Sequence, residues 1–169
     1  MRSNMVDLNL IEGILRWKNK KWMPPTFDEL GLTKWFWMVQ YPQNLKLGKY
    51  VDIGAFTYLN ACYGIEIEDF VQIGSHCSIY SISTIDGKKG KVTIKKNARI
   101  GSHCIIMPSV TIGENSIIGA FSLVNEDIPP NVVAFGIPAK VVRRLTDDEI
   151  SVIHKAITEV EASNESEEL

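Results

Sequence analysis

Residues 94–124 read IKKNARIGSHCIIMPSVTIGENSIIGAFSLV, and an aliphatic residue returns at every sixth position of this stretch. A glycine directly follows this residue in several of the hexads, and a small or apolar side chain stands four positions after it. An α-helix would need apolar residues three and four apart, and a simple strand would alternate with a period of two. A period of six instead predicts a short strand and a tight turn in each hexad. The inward positions are Ile94, Ile100, Ile106, Ile112, Ile118 and Val124.

The same spacing continues toward the N-terminus with one slip and one break. The earlier inward positions are Leu47, Ile53 and Leu59, then, after a slip of two residues, Ile67, Ile73, Ile79 and Ile85. Three hexads make one triangular coil of about 18 residues, and stacked coils share a continuous aliphatic interior. The sequence therefore predicts a parallel β-helix solenoid from about residue 47 to residue 124, within a domain spanning residues 45–145.

Residues 86–93, DGKKGKVT, interrupt the repeat with glycine and lysine. We predict a loop that leaves the coil here. Loops on a rigid scaffold are common places for binding groups. The alternative is an insertion that the solenoid merely tolerates.

The two ends of the chain differ from the repeat. Residues 1–44 include a helix-like stretch, residues 7–17, and we predict an N-terminal cap over the first coil; a subunit or substrate surface is the alternative. Residues 146–169 are predicted to form a C-terminal helix with a frayed tail, because Thr146 and Glu149 have the spacing of a capping box. The N-terminal segment contains all four tryptophans: Trp17, Trp22, Trp35 and Trp37.

The composition limits the function classes. The net charge of −2 and the absence of a long basic block do not favour nucleic acid or an anionic membrane surface as a partner. No apolar run approaches 18 residues, so we expect no transmembrane segment and a soluble, cytoplasmic protein. The cysteines are too few and too scattered for a disulfide framework or a metal site, and we expect core positions for them: Cys62, Cys77 and Cys104.

The end of the repeat, IGAFSLVNEDIPPNVVAFGIPAKVVRRL (residues 118–145), resembles the hexapeptide-repeat acyltransferases. This family of left-handed parallel β-helix enzymes includes galactoside, maltose, serine and sugar-nucleotide acetyltransferases. The resemblance implies a mostly β, left-handed solenoid, acetyl-CoA as co-substrate, no metal, and a homotrimer with sites between subunits. It also implies transfer of an acetyl group to an amino or hydroxyl group of a sugar, including nucleotide-linked sugars of surface polysaccharide synthesis.

The resemblance also implies the residues that bind coenzyme A, and the best matches lie in the second half of the repeat. Ser102 and Ala120 stand 18 residues apart, so we expect them to stack along one edge and bind the pantetheine amides through their backbone groups. The ammonium group of Lys140 and the planar guanidinium group of Arg143 suit the phosphates of coenzyme A. Asn125 completes the implied donor site.

The acceptor side follows the family less closely. Asn60 matches an asparagine that galactoside-type relatives use near the acceptor. The catalytic base of the family is usually a histidine, but residues 81–86 and 60–65, where relatives carry it, contain none. His76, which precedes the loop, or Asp86 is then the candidate base. A neutral acceptor amine that needs no protein base is the third possibility.

The other two histidines of the chain bear on two alternative functions. His103 matches His76 in its hexad, and His154 stands among charges in the predicted C-terminal helix. A γ-carbonic-anhydrase-like metalloenzyme needs three converging histidines, two of them close in sequence, and this spacing does not provide them. A non-catalytic scaffold or binding subunit remains the other alternative, because the family histidines are missing.

Overall fold

A computed structural model describes residues 4–165 of the chain. The chain divides into two compact units. One unit is residues 24–144, and the other combines the described parts of residues 1–23 and 145–169. Each unit is considered by itself below.

The larger unit consists of short strands joined by tight turns. Hydrogen bonds between strands assemble them into three sheets, and every pairing is parallel except that of β14 with β15. In chain order the strands are β1 (Met38–Gln40), β2 (Leu45–Leu47), β3 (Asp52–Ile53), β4 (Tyr58–Asn60), β5 (Ile65–Ile67), β6 (Gln72–Ile73), β7 (Ser78–Tyr80), β8 (Val92–Ile94), β9 (Arg99–Ile100), β10 (Ile105–Ile106), β11 (Thr111–Ile112), β12 (Ile117–Ile118), β13 (Leu123–Val124), β14 (Val132–Gly136) and β15 (Ala139–Arg144).

From β1 to β13, successive strands visit the three sheets in turn, which defines a solenoid. Sheet A contains β1, β4, β7, β10 and β13; sheet B contains β2, β5, β8 and β11; sheet C contains β3, β6, β9, β12, β14 and β15. The mostly β, parallel solenoid that the hexad period predicts is therefore confirmed. A 3-10 turn, Pro42–Asn44, connects β1 to β2.

The interior is the aliphatic column that the repeat predicts. In sheet A, for example, Leu59, Ile79 and Ile106 are fully buried and stack on one another across β4, β7 and β10. Fully burying such a side chain stabilises the fold by about 1.5–3 kcal/mol each. Cys77 and Cys104 are buried in the same column, as expected, whereas Cys62 is only half-buried.

One position of the predicted column is wrong. Ile85 is 98% exposed, and the neighbour of Ile67 in sheet B is Ile94. The chain leaves the coil earlier than predicted, since the N–H of Gly90 donates to the carbonyl of Ser81 (2.9 Å) and closes the base of the loop. The loop is therefore residues 81–91 rather than 86–93, and the six-residue spacing of Ile85 is a coincidence of sequence. Val92, assigned to the loop, is a buried residue of β8.

The coils are not equal in length. Val39, Leu59 and Ile79 pair in succession at intervals of 20 residues, and the loop stretches the next interval, from Ile79 to Ile106, to 27. Only after the loop does the interval become the predicted 18, from Ile106 to Val124.

The stack of coils begins at β1, upstream of residue 45, where the sequence predicted the start of the domain. Trp37, next to β1, is buried in the core, and Phe27 meets it edge-on with ring centroids 5.6 Å apart.

The smaller unit is a pair of helices, α1 (Asn4–Leu15) and α2 (Asp147–Glu165), that pack on each other. The predicted capping box is confirmed: the N–H of Glu149 donates to Thr146 Oγ1 (3.2 Å), and the N–H of Thr146 donates to Glu149 Oε2 (2.8 Å). Ile153 and Val160 form part of the buried face of α2. The predicted frayed tail starts inside this helix, which continues to Glu165, and its last four residues lie outside the described part of the chain.

Candidate functional site

Each coil turns from sheet C into sheet A at a corner with the same four-residue pattern, here named the C–A corner. The four turns read GAFT (54–57), GSHC (74–77), GSHC (101–104) and GAFS (119–122). The first residue must be glycine because the next coil packs against it. A Cβ on Gly101 would lie 2.5 Å from the backbone nitrogen of Ala120, and one on Gly74 would lie 2.5 Å from that of Ser102.

This packing places the two pantetheine-binding candidates next to each other. Ser102 and Ala120 occupy the second position of consecutive corners, and the N–H of Phe121 donates to the carbonyl of Ser102 (3.0 Å). Ser75 occupies the same position one coil earlier. The geometric expectation of a row along one edge is met, and the row leaves Ala120 exposed and Ser102 half-exposed.

The third position of the corner carries a flat ring in the left-handed backbone conformation. Bulky residues adopt this conformation rarely, and it costs roughly 1–2 kcal/mol per residue. The rings stack from coil to coil, and this ring stack consists of Phe36, Phe56, His76, His103 and Phe121, with φ between 58° and 63°. Centroid separations along it are 6.4, 5.1, 4.7 and 4.7 Å.

Both histidines of the ring stack are exposed to solvent. Their rings are parallel within 5°, and within residues 4–165 no hydrogen bond to either ring is present. The third histidine, His154, is exposed on α2 in the other unit. His76 and His103 are thus neighbours on one edge of the solenoid.

The other candidate base, Asp86, lies at the opposite end of β7. It is an exposed loop residue whose pKa is lowered to about 2, first by a hydrogen bond from Ser83 and then by Lys88, whose Nζ is 3.0 Å from Asp86 Oδ2. Such a carboxylate is a weak proton acceptor at neutral pH. β7 separates the turn that carries His76 from the loop that carries Asp86, so the two residues lie beyond opposite ends of this strand.

Asn60 belongs to a polar cluster on the outer face of sheet A. Its Nδ2 donates to Gln40 Oε1 and to Tyr58 Oη (both 3.3 Å), and Tyr58 Oη donates to Gln40 Oε1 (2.6 Å). The Tyr80 ring lies 5.8 Å from that of Tyr58, and burial raises the pKa of Tyr58. The N–H of Cys62 donates to Asn60 Oδ1 (3.2 Å), which fixes the amide.

The basic candidates lie on the last strand of sheet C. Lys140 pairs with Phe135 in the β14–β15 hairpin, at the C–A end of the sheet, and its Nζ is 3.2 Å from Glu126 Oε2. Arg143 is exposed farther along β15, opposite Val133. Asn125 is exposed and follows β13, at the other end of sheet A.

Within one chain the candidates therefore form two groups at opposite edges of sheet A. The edge at the C–A corner carries His76, Ser102 and Ala120, and Lys140 reaches from the C–A end of β15 to Glu126, next to Asn125. The edge where sheet A turns into sheet B carries Asn60, Asn125 and the loop with Asp86.

Sequence reasoning missed the ring stack and the tyrosines. A signal existed for the tyrosines, because Tyr58 and Tyr80 flank the inward residues Leu59 and Ile79 and must point outward in a strand. The ring stack had a signal as well, since a ring recurs three places after the inward residue at Phe56, His76, His103 and Phe121.

The structure of residues 4–165 also bears on metal binding and on membrane insertion. Among residues 4–165, no group of three or more His, Cys, Asp or Glu side chains is arranged to hold a metal ion. No helix in that part of the chain has the length and apolar character needed to cross a bilayer.

The C–A corners and the repeat that forms them define a parallel β-helix of hexapeptide repeats. Residues 91–126 match the family model described as bacterial transferase hexapeptide (six repeats). The chain is 36% identical over 145 residues to the galactoside O-acetyltransferase of Escherichia coli (strain K12), covering 77% of this chain and 70% of that one. It therefore belongs to the hexapeptide-repeat acetyltransferase family that includes this enzyme, and the predicted family and enzyme class are confirmed.

Two solved structures have the same fold. One is a galactoside acetyltransferase in complex with coenzyme A, at TM-score 0.62 and 26% identity, covering 85% of this chain and 82% of that chain. The other is a variant of an N-acyltransferase from Bacillus cereus in complex with dTDP and coenzyme A. Its TM-score is 0.62 and its identity 25%, with coverage of 75% of this chain and 86% of that chain.

Proposed function

We propose that this protein transfers the acetyl group of acetyl-CoA to an amino or hydroxyl group of a sugar, free or nucleotide-linked, of the kind used in surface polysaccharides. The observation that carries the proposal is the row of Ser75, Ser102 and Ala120 on the C–A corner, which runs beside His76 toward the basic β15. A galactoside enzyme and an enzyme solved with dTDP, both with coenzyme A, share the fold and support the two acceptor classes.

The donor binds along this row. Backbone groups of Ser102 and Ala120 hydrogen-bond the amides of an extended pantetheine arm. At the end of the row Lys140 and Arg143 meet the phosphates of coenzyme A, where a basic pair is the natural counter-charge. Asn125 would contact the donor from the far edge of sheet A.

His76 is the proposed general base. Its imidazole takes the proton of the acceptor hydroxyl or amine as the acceptor oxygen or nitrogen attacks the thioester carbon. The carbon–sulfur bond then breaks, and the proton passes from His76 to the departing thiolate of coenzyme A. Asp86, with a pKa of about 2, is the weaker candidate for this step. A neutral acceptor amine would reduce the need for a protein base, whether His76 or Asp86.

The site is proposed to be completed in a homotrimer. The C–A edge of one chain supplies the donor row and His76, and the facing edge of the next chain supplies Asn60. Tyr58 and Tyr80 lie beside Asn60 and present an aromatic, hydrogen-bonding face that suits a sugar. We propose the cytoplasm as the compartment, because acetyl-CoA is available there.

A thiol-release assay with acetyl-CoA tests the function. The panel contains nucleotide-linked amino sugars, including a dTDP-linked one, and simple glycosides such as methyl β-galactoside. Coenzyme A release that depends on one of these acceptors supports the proposal. Sedimentation of the active sample as a trimer is the expected companion result, and full activity in a strict monomer would contradict the two-edge site.

A non-catalytic binding subunit is the second candidate, and one observation favours it. The loop of residues 81–91 contains no histidine, and its one carboxylate, Asp86, is held ionised by Ser83 and Lys88. Isothermal titration with coenzyme A, combined with the thiol-release assay, separates the two functions. Binding without acceptor-dependent thiol release would favour a binding subunit, whereas release with any sugar excludes it.

A further inference from the structure

The imidazole of His76 is held by ring faces. Phe56 lies on one side with centroids 5.1 Å apart at 41°, and His103 lies on the other at 4.7 Å and 5°. A general-base histidine usually has its ring oriented by a hydrogen-bond acceptor on the second nitrogen. No residue between 4 and 165 supplies such an acceptor to His76.

The backbone fixes the spacing of these rings. The N–H of His76 donates to the carbonyl of Ala55 (3.1 Å), and the N–H of His103 donates to the carbonyl of Ser75 (3.0 Å). Both histidines have φ near 60°. A parallel neighbour on one face and a tilted ring on the other restrict rotation of the His76 ring about its Cβ–Cγ bond, because a turned ring would push its edge into them.

The turn itself does not require rings at this position. Where sheet B turns into sheet C, the equivalent left-handed positions are filled by Tyr50 and Phe70 in the first two coils and by Asn97, Asn115 and Asn131 in the later ones. Asparagine tolerates this conformation well, and these amides form a ladder with hydrogen bonds of 2.9 and 2.8 Å. The B–C corner carries rings only in its first two coils, where Phe70 is buried, whereas every coil carries an exposed ring at the C–A corner. This persistence of exposed rings points to a use beyond folding.

We propose that Phe56 and His103 are positioning residues for His76. Their faces hold the imidazole plane so that its nitrogen-bearing edge stays directed away from the stack, toward the acceptor, while both nitrogens remain available for the proton. This inference rests on the proposed role of His76 as the base. His103 then acts through its flat ring and takes no proton from the substrate.

Two substitutions of His103 separate the effect of its flat ring from the effect of its ring nitrogens. His103→Phe keeps a flat ring and continues the pattern of Phe56 and Phe121, whereas His103→Ala opens a gap beside His76. The assay is coenzyme A release from acetyl-CoA, with the dTDP-linked amino sugar or methyl β-galactoside as acceptor. We expect His103→Ala to lower kcat about 10- to 100-fold with little change in either KM, since small displacements of a reacting group have effects of this size. We expect His103→Phe to restore most of the wild-type kcat.

Other results would overturn the proposal in distinct ways. Wild-type kcat in His103→Ala removes the positioning role, and an effect confined to the KM of acetyl-CoA makes the ring a wall of the donor groove instead. Equal loss of kcat in both variants would mean that His103 exchanges protons itself. His76→Ala is run in parallel, because an active His76→Ala refutes the base and hence the proposed mechanism, independently of His103. Thermal unfolding of each variant verifies that the coil remains folded.

Discussion

Ala120 lies beside Ser102 on the C–A corner, one coil farther along, so closely that a Cβ on Gly101 would come within 2.5 Å of the Ala120 nitrogen. The N–H of Phe121 closes the contact by donating to the Ser102 carbonyl (3.0 Å). This row is the feature on which the proposed donor site depends. It is built from backbone packing, so it can be tested by changing the glycines that permit it.

Gly101→Ala should displace the row. We expect a loss of about 1–3 kcal/mol in the free energy of unfolding, because the added methyl group overlaps backbone that cannot move away, together with a raised KM for acetyl-CoA. Gly87→Ala is the control: a Cβ there has nothing within 4 Å, although its φ is +72°. That loop variant should lose only about 1 kcal/mol from backbone strain. Urea unfolding measures the free energy of unfolding of both variants. Equal losses in the two variants would argue against the packing explanation.

Ile85 and Ile94 offer a matched test of the coil path. Ile94→Ala should destabilise the protein by about 2–5 kcal/mol, since it opens a cavity in the aliphatic column. Ile85→Ala should change the free energy of unfolding by less than about 0.5 kcal/mol, because the side chain is in solvent. Large destabilisation by Ile85→Ala would instead support the predicted inward position of this residue in the coil.

Lys140 is predicted to bind the phosphates of coenzyme A. Lys140→Ala should weaken coenzyme A binding about tenfold, the effect of losing one charge-assisted hydrogen bond. The penalty should shrink at high salt. Isothermal titration measures it, with Lys46→Ala on sheet B as a control that retains wild-type affinity. A Lys140→Ala variant with unchanged affinity would place the phosphates elsewhere.

Asp86 should not govern the pH dependence of the reaction. Its pKa in the folded protein, about 2, lies below the ordinary value of 3.8. The stabilisation of the loop by this carboxylate is therefore complete above about pH 4 and is lost as the pH falls toward 2. Between pH 5 and 9 the residue stays ionised. We expect the pH–rate profile of Asp86→Asn to match wild type over this range, and a displaced limb would show that Asp86 takes part in proton transfer.

The repeat allowed the core to be predicted and left the site only partly predictable. The inward positions of Ile67, Ile100 and Ile118 follow from spacing, because each strand of the solenoid directs one aliphatic side chain into the interior. The predicted inward position of Ile85 was wrong, because the period alone does not reveal where a loop leaves the coil. The hydrogen bond between Gly90 and Ser81 marks that point. The adjacency of Ser102 and Ala120 could be predicted because their interval is one undisturbed coil.

The stack of His76 on His103 was harder to predict. The two residues are one coil apart, but the loop lengthens that coil to 27 residues, so no multiple of six relates them. Sheet A also separates Asn60 from His76, a division that appears only when the strands are assigned to sheets. Local sequence shows which residues point outward, and the coil path shows which of them meet.

The most direct measurement of the central claim is acceptor-dependent coenzyme A release by wild type and His76→Ala, with Asp86→Asn and His154→Ala as matched controls. The account predicts that His76→Ala lowers kcat by roughly 100-fold or more, the usual scale for a lost general base, while both controls stay close to wild type. Wild-type turnover in His76→Ala would contradict the account and leave the reaction to Asp86 or to an acceptor amine that arrives neutral.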